Sequence, residues 1–217
     1  KAIRRQRQMC IRDRLWVRNN EPEVYSQIDK VLLPKDYIRY RLTGVYMAEV
    51  SDASGMQMLD INSRNWSGEL LQALEIDKNI LADVYESVVI SGHVTEEVAK
   101  ITRLVAGTGV AGGAGDQAAG GIGNGIVSEG DISATIGSSG VVFAYTNEVT
   151  TDVTGATQVF CHAIPNTWHV MGVTQGAGLS LKWYRDTFCS EEKEIAKAQD
   201  RDVYEVCLLY TSDAADE

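Results

Sequence analysis

Asp116 is the residue whose type and surroundings most favour chemistry in this sequence. It follows the glycine-rich stretch GVAGGAG, after a short predicted strand, and precedes the small residues QAAGG, which predict a helix start. Glycines let a backbone approach a ligand closely, and the amide groups and dipole of a helix start hold a carboxylate ionised. Asp116 is therefore placed to accept a proton, although the same pattern is typical of a carboxylate that only caps a helix.

A second candidate site is the turn Gly137-Ser138-Ser139-Gly140, which lies between two apolar runs. Successive backbone amides in such a turn form an anion-binding concavity, and the two hydroxyls add donors, so a nucleotide phosphate would fit there. A plain hairpin turn of Gly and Ser is the alternative. The turn is not a Walker motif, because no Gly-Lys-Ser/Thr follows it.

Other residues of chemically useful types carry weaker signals. Asp52, in SDASG, could line a cleft, but a turn residue is the preferred interpretation. Gly178 could admit a nucleotide to a helix start or could serve close helix packing. His162 and His169 show neither a serine-nucleophile pattern nor metal-ligand spacing, so they are interpreted as packed or surface histidines. No metal site is predicted.

An alternation of helices and glycine-flanked strands must position these residues. First-turn prolines, periodic apolar residues and the capping residues Ser67 and Thr95 mark the helices. The predicted helices cover residues 21–31, 34–43, 68–76, 96–104 and a segment within 176–188. Extended segments are predicted over 46–59, around a turn at 51–55, and hairpins over 131–146 and 161–172.

Composition excludes two classes of function. The 217 residues are 44% hydrophobic and 23% charged, with a net charge of -10, which is typical of a foldable globular chain. No uninterrupted apolar stretch approaches the roughly 18 residues that a membrane helix needs, so a membrane protein is not predicted. The acidic balance would repel phosphate backbones, so nucleic-acid binding is not predicted either.

The two ends are predicted not to belong to the protein. The stretch RRQRQMCIRDR can be encoded by a DNA strand whose complement encodes CLLYTSDAAD, and this DNA resembles the transposase adapter of sequencing libraries. We therefore expect residues 1–14 and 207–217 to be translated adapter and residues 15–206 to be an internal fragment. The tails hold 6 of the 20 basic and 4 of the 30 acidic residues, so 14 and 26 remain and the net charge becomes -12.

Six motifs follow one another in a single order: KVLLPKDYIRYRLTG, SDASG, GAGDQAAGGIGNGIV, ATIGSSG, FCHA and WHVMG. In this order and spacing they resemble the FGGY family of carbohydrate kinases, over essentially all of residues 15–206. The resemblance implies an α/β protein with the actin-like (ribonuclease H-like) fold of two domains, which bind sugar and ATP in the cleft between them. The predicted boundary assigns residues 15–129 to the N-terminal, sugar-binding domain and residues 130–206 to the start of the C-terminal, ATP-binding domain.

The resemblance also implies roles for individual residues. Asp116, the aspartate of the GDQ motif, is expected to be the general base that deprotonates the attacking sugar hydroxyl, and Gln117 is expected to hydrogen-bond to the sugar. Gly137, Ser138 and Ser139 are expected to contact the ATP phosphates, with Ser138 standing where the family usually has threonine.

Gly178 matches a glycine that lies against the nucleotide in the related glycerol kinases. Lys182 departs from the glutamine found a turn later in those proteins, so it is assigned no role. ATP and Mg²⁺ are the cofactors that the resemblance implies, and no protein ligand to a metal is assigned.

The resemblance implies ATP-dependent phosphorylation of a sugar hydroxyl, most simply the conversion of D-xylulose to D-xylulose 5-phosphate. Ribulose, gluconate, fuculose and glycerol stay alternatives, because the sugar-choosing loop would lie outside this stretch. ATP use implies the cytoplasm, and a homodimer is counted among the candidate assemblies. The fragment by itself is expected to be inactive, because nucleotide-binding parts of the family are missing from it.

Two other classes of protein are weighed against a kinase. One is a non-catalytic actin-like regulator that binds sugar, which the retained Asp116 argues against. The other is an α/β domain of unrelated function, which the number of ordered motifs argues against.

Overall fold

The computed structural model describes residues 11, 13–150, 152 and 154–212. The chain divides into two compact units, Lys1–Ser133 with Val142–Gly172, and Ala134–Val141 with Val173–Glu217. Of the predicted adapter tails, residues 1–10, 12 and 213–217 lie outside the described residues. The predicted domain boundary between residues 129 and 130 stays a prediction.

The first unit carries the helices and short strands up to residue 133, together with the strand segments that lie within residues 142–172. Its helices are one that includes residues 13–20 (α1), α2 (Pro22–Ser26), α3 (Pro34–Thr43), α4 (Val50–Ser54), α5 (Gly68–Ala73), α6 (Glu96–Thr102) and α7 (Asp116–Gly123), with a 3₁₀ turn at Lys78–Ile80. Its first six strands are β1 (Ala48–Glu49), β2 (Leu59–Asp60), β3 (Asn65–Trp66), β4 (Val84–Tyr85), β5 (Ile90–His93) and β6 (Gly109–Ala111).

Four further strands form one sheet in the order β7-β8-β10-β9. These strands are β7 (Ile132–Ile136), β8 (Gly140–Thr146), β9 (Gln158–Cys161) and β10 (Trp168–Thr174). In the antiparallel pair β9 and β10, Trp168 lies opposite Cys161 and Met171 opposite Gln158. The second unit contains the tip of the β7–β8 hairpin and the helices α8 (Gly178–Phe188), α9 (Ser190–Gln199) and α10 (Val203–Ser212).

The core of the first unit packs β1 and α4 against the neighbouring short strands. Strand β1 pairs with β4 in parallel, while β2 pairs with β3, and β5 with β6, antiparallel. The buried side chains come mainly from these segments: Ala48, Val50, Ala53, Met56, Met58, Leu59, Trp66, Leu71, Ile76, Leu81, Ala82 and Cys161. Helix α4, which lies in this core, is therefore a rigid base for any residue that it carries.

Several predicted helix ends are confirmed with their physical causes. Helix α3 starts with Pro34 in its first turn and ends at Gly44, which has a left-handed φ of 73°. The Ser67 hydroxyl caps α5 by accepting from the amide of Leu70, and Thr95 caps α6 in the same way. The hairpin over 131–146 and the helix within 176–188 are also present. The second hairpin is present over 158–174 rather than 161–172, because its first strand ends at Cys161.

Several predicted elements are wrong in part. The helix predicted over 68–76 ends at Ala73, and Glu75 adopts a left-handed conformation. The helix predicted over 21–31 ends at Ser26, because Val31 instead forms a parallel bridge with Leu81. This tertiary pairing overrides the helical periodicity of the apolar residues. The predicted turn at 51–55 is the short helix α4, which the side chain of Glu49 caps. Helix α6 ends at Thr102 rather than 104, because Arg103 adopts a left-handed conformation.

Within the described part of the chain, no helix combines the length and apolar character needed to cross a membrane.

We predict that Gly44→Ala destabilises the protein by about 1–2 kcal/mol, because only the positive φ opposes the new methyl group. A Cβ at Gly44 would meet nothing within 4 Å, so no steric clash contributes. Gly68→Ala is the matched control, since its Cβ position is equally open and Gly68 begins a helix. That control should be neutral or slightly stabilising. Urea unfolding measures both, and equal effects would contradict the conformational explanation.

Candidate functional site

Asp116 is the first residue of α7, and the residue at the N-cap position is Gly115. The Asp116 carboxylate is exposed, and its Oδ1 accepts a hydrogen bond from the amide of Gln117 at 2.8 Å. The interpretation of Asp116 as the N-cap itself is therefore wrong by one position. A carboxylate at the first position of a helix keeps the favourable interaction with the helix dipole and stays accessible to a ligand.

A pocket of about 190 Å³ opens beside this helix start, wholly within the first unit. Its lining comes from α4, from the start of α7 and from the β9–β10 pair: Ser51, Asp52, Gly55, Gly115, Asp116, Gln117, Ala118, Phe160, His169 and Met171. The structure thus brings Asp116 and Gln117 together, as the sequence predicts. It adds residues from segments distant in the chain.

Asp52 is the second carboxylate of the pocket. It lies on α4 and not in a turn, so the preferred interpretation of this residue from the sequence is wrong. Burial raises the pKa of Asp52, the charge of Lys35 opposes this rise, and the negative charges of Asp36, Glu49 and Asp116 add to it. The pocket therefore holds two acidic groups in one electrostatic environment, and Asp52 takes up a proton more readily than an exposed aspartate.

The side chain of Lys35 lies close to three carboxylates in and beside the pocket. The Lys35 ammonium lies 3.0 Å from Asp36 Oδ1, 3.5 Å from Glu49 Oε2 and 3.9 Å from Asp52 Oδ2. It also donates to the carbonyl of Gly112 at 3.1 Å, on the loop that leads to Asp116. Sequence reasoning missed Lys35 and Glu49 as functional candidates. In the sequence each is only a single charged residue close to apolar residues. Such a local pattern does not reveal contacts with residues that are distant in the chain, such as the contact of Lys35 with Gly112.

His169 forms part of the opposite lining and is almost fully buried. Its ring stacks on Phe143, with centroids 4.5 Å apart, and on Phe160, at 5.4 Å. Burial, followed by the charge of His162, lowers the pKa of His169 to about 3. His162 and His169 are both buried, so the packed alternative is confirmed over the surface alternative. His169 also presents a neutral imidazole beside the pocket.

The turn Gly137-Ser138-Ser139 forms the exposed tip of the β7–β8 hairpin, in the second unit. The amide of Gly137 donates to the carbonyl of Ser139 at 2.8 Å. This amide is used inside the turn, so the predicted concavity cannot be formed from all of its amides. The exposed hydroxyls of Ser138 and Ser139 and their own amides are the groups that an anion would meet.

The same turn caps helix α8 through its backbone carbonyls. The Gly137 carbonyl accepts from the amide of Gly178 at 2.9 Å, and the Ser138 carbonyl accepts from Ala177 at 3.0 Å and from Leu179 at 3.3 Å. A Cβ at Gly178 would lie 2.6 Å from the Gly137 oxygen, so no larger residue fits without movement. Close packing accounts for this glycine, as one of the two interpretations of the sequence has it.

The strands and helices form part of the actin-like α/β fold seen in solved sugar-kinase structures. A family model described as the N-terminal domain of the FGGY family of carbohydrate kinases matches residues 12–123. The chain belongs to this family.

Individual relatives agree with this assignment. The chain is 43% identical to the xylulose kinase of Escherichia coli strain K12 over 169 residues, which cover 78% of this chain and 35% of that protein. A solved structure described as a "xyloylose kinase from Brucella ovis" is 40% identical with a TM-score of 0.77, covering 81% of this chain and 36% of that one. The xylulose kinase structure from Rhodospirillum rubrum, 26% identical, has a TM-score of 0.80 with 88% and 38% covered. The chain spans about a third of the length of the curated relatives it matches.

We predict that the buried neutral state of His169 makes stability depend on pH. Its pKa is about 3 in the folded protein against 6.5 for an unburied histidine, so the unfolded state binds the proton first. This contribution to stability is present above pH 6.5 and is lost as the pH falls toward 3, with a slope of at most about 1.4 kcal/mol per pH unit.

His169→Phe should reduce that slope in urea unfolding between pH 4 and 7, because phenylalanine keeps an aromatic ring in the stack and does not titrate. The exposed residue His93 offers a control, and His93→Gln should leave the slope unchanged. Identical pH dependence in wild type and His169→Phe would show that the burial of His169 has no such effect.

Proposed function

We propose that the protein that contains this sequence transfers a phosphoryl group from ATP to a hydroxyl of D-xylulose, giving D-xylulose 5-phosphate. The observation that carries the proposal is the pocket in which Asp116 and Gln117 lie beside Asp52, in a chain 43% identical to the xylulose kinase of Escherichia coli. A pocket of about 190 Å³ with acidic and amide side chains suits a small polyhydroxy ligand.

In the proposed mechanism Asp116 is the general base. Its carboxylate is exposed at the helix start, where it is placed to accept the proton of the attacking hydroxyl. Gln117, which lines the same pocket, donates to and accepts from sugar hydroxyls and so orients the substrate. ATP, when bound with Mg²⁺, supplies the phosphoryl group whose transfer depends mainly on positioning and charge neutralisation.

Asp52 and His169 extend this orienting role. Asp52 accepts from a second hydroxyl when ionised, and its raised pKa also makes a donating, protonated form more accessible. The pKa of His169 is about 3, so its imidazole is neutral near pH 7 and adds no positive charge beside Asp116.

The nucleotide side of the proposal rests on the second unit. Ser138 and Ser139 offer exposed hydroxyls and amides to phosphate oxygens, Gly137 shapes the turn, and Gly178 lies against its backbone. Among the described residues there is no group of three or more His, Cys, Asp or Glu side chains that could hold a metal ion. We propose that Mg²⁺ enters with the nucleotide phosphates, since Mg²⁺ commonly keeps water and phosphate ligands.

The wider properties form part of the same proposal. They are the two domains that meet between residues 129 and 130, a location in the cytoplasm where ATP is available, and a homodimer. A panel of xylulose, ribulose, gluconate, fuculose and glycerol, assayed with ATP, identifies the substrate. Preference for a sugar other than xylulose would keep the kinase class and replace the substrate.

Asp116→Asn tests the catalytic role. We expect kcat to fall about 100- to 10,000-fold, because a general base contributes on the order of 10²–10⁴ and the amide cannot take the proton. Sugar binding should survive, because asparagine keeps the shape and most hydrogen bonds. The measurements are a coupled ADP-release assay and calorimetric sugar binding, on a protein that carries this sequence at the full length of its relatives.

Asp77→Asn is the matched control for this substitution. Asp77 also sits at a helix start, where it accepts from the amide of Asn79 at 2.8 Å, and it does not line the pocket. Asparagine caps helices as well as aspartate does, so kcat should be unchanged. Near-normal turnover of Asp116→Asn would refute its role as the base.

A further inference from the structure

Glu49 is a fully buried carboxylate at the start of α4, and both of its oxygens accept hydrogen bonds. Oε1 accepts from the amide of Ser51 at 2.7 Å and from the hydroxyl of Ser87. Oε2 accepts from the hydroxyl of Ser51 at 2.9 Å and from the amide of Asp52 at 3.1 Å, and the Lys35 ammonium lies 3.5 Å from it. These donors fix the carboxylate in one orientation.

This arrangement leaves the Ser51 hydroxyl only one orientation. The single hydroxyl proton of Ser51 points at Glu49 Oε2, to which the hydroxyl donates at 2.9 Å. The Ser51 oxygen is then free to accept, and the amide of Gly115 lies 3.0 Å from it. A backbone amide can only donate, so the polarity of both hydrogen bonds is determined. Gly115 is the residue directly before Asp116.

The loop that leads to Asp116 is held at several points, of which this hydrogen bond is the last. The amide of Gly112 donates to the carbonyl of Val89 at 2.9 Å, and the amide of Gly113 donates to that of Ser87 at 3.1 Å. Ser51 makes the corresponding contact at Gly115, the N-cap position of α7. Ser51 is thus the side chain that contacts this loop at the last residue before Asp116.

We infer that Ser51 is a positioning residue for the phosphoryl transfer reaction. Its hydroxyl connects the buried Glu49 to the amide of Gly115 and so holds Asp116 at the angle at which it takes the substrate proton. The inference rests on the proposed function, because the effect is read in the turnover that Asp116 supports. Ser51 acts through the backbone and not through contact with the reacting atoms.

Ser54 provides a closely matched control on the same helix. Ser51 and Ser54 are 5% and 6% exposed. The Ser54 hydroxyl also donates to one acceptor, the carbonyl of Val50 at 2.7 Å, and accepts from one backbone amide, that of Cys161 at 3.1 Å. The loss of either hydroxyl removes two hydrogen bonds, but only Ser51 connects to the Asp116 loop.

The experiment compares Ser51→Ala and Ser54→Ala in a protein that carries this sequence at the full length of its relatives. Both should lower the melting temperature to a similar extent. Ser51→Ala should lower kcat about 10- to 100-fold with the calorimetric Kd for sugar changed less than about threefold, since small misplacements of a catalytic group carry penalties of this order. Ser54→Ala should keep kcat within about twofold.

Amide hydrogen exchange gives a readout that does not depend on turnover. Exchange at Gly115 should accelerate in Ser51→Ala and stay unchanged in Ser54→Ala. Ser51→Cys, which keeps the size of the side chain and makes weaker hydrogen bonds, replaces the alanine variant if that protein does not fold, and its kcat should also fall.

Two results would overturn the inference: kcat of the Ser51 variant within twofold of that of Ser54→Ala, or unchanged Gly115 exchange. A wild-type protein that phosphorylates none of the five sugars refutes the proposed function instead. In that case Gly115 exchange alone still decides whether Ser51 holds the loop.

Discussion

The buried carboxylate of Glu49 is the constraint on which the pocket depends. It satisfies the first amides of α4, holds the hydroxyl of Ser51 and lies beside the Lys35 ammonium, in a core where unpaired charge is very costly. Without the Glu49 carboxylate, the amides of Ser51 and Asp52 would lose their acceptor, and an unsatisfied buried polar group costs about 1–3 kcal/mol. These hydrogen bonds hold the start of α4 in place, and with it Asp52 at the edge of the pocket.

The acidic cluster around Lys35 shows how one cation serves two purposes. Burial raises the pKa of Asp36, and Lys35 and Arg39 oppose this rise, so the cluster is not simply a set of stable ion pairs. Lys35 also donates to the carbonyl of Gly112, which places the loop before Asp116 against the same cluster. The ammonium of Lys35 therefore contacts both the buried acidic groups and the loop that carries the pocket carboxylate Asp116.

Local chemistry in the sequence predicted the parts of the fold that local interactions determine. Gly44, Ser67 and Thr95 end or begin helices because their own backbone or hydroxyl meets the requirement. The prediction failed at residues 27–31 and 51–55, where a bridge to Leu81 and the Glu49 cap decide the conformation. In the pocket, Asp116 and Gln117 carry a recognisable motif, whereas contacts such as that of His169 arise from packing between distant segments and leave no local pattern.

The two glycine-containing segments, residues 112–115 and 137–140, each place a polar side chain next to backbone groups that are hydrogen-bonded within the fold. In each, a backbone group next to a polar candidate residue makes a hydrogen bond within the fold: Ser51 accepts from the amide of Gly115, and the carbonyl of Gly137 accepts from the amide of Gly178. Hydrogen bonds of this kind remove the freedom that glycine would otherwise give the chain. What stays free to meet a ligand is the neighbouring side chain, Asp116 in one unit and Ser138 in the other. Glycine at these positions allows close contact between backbone segments, and the hydrogen bonds made at that contact restrict the segments to one conformation.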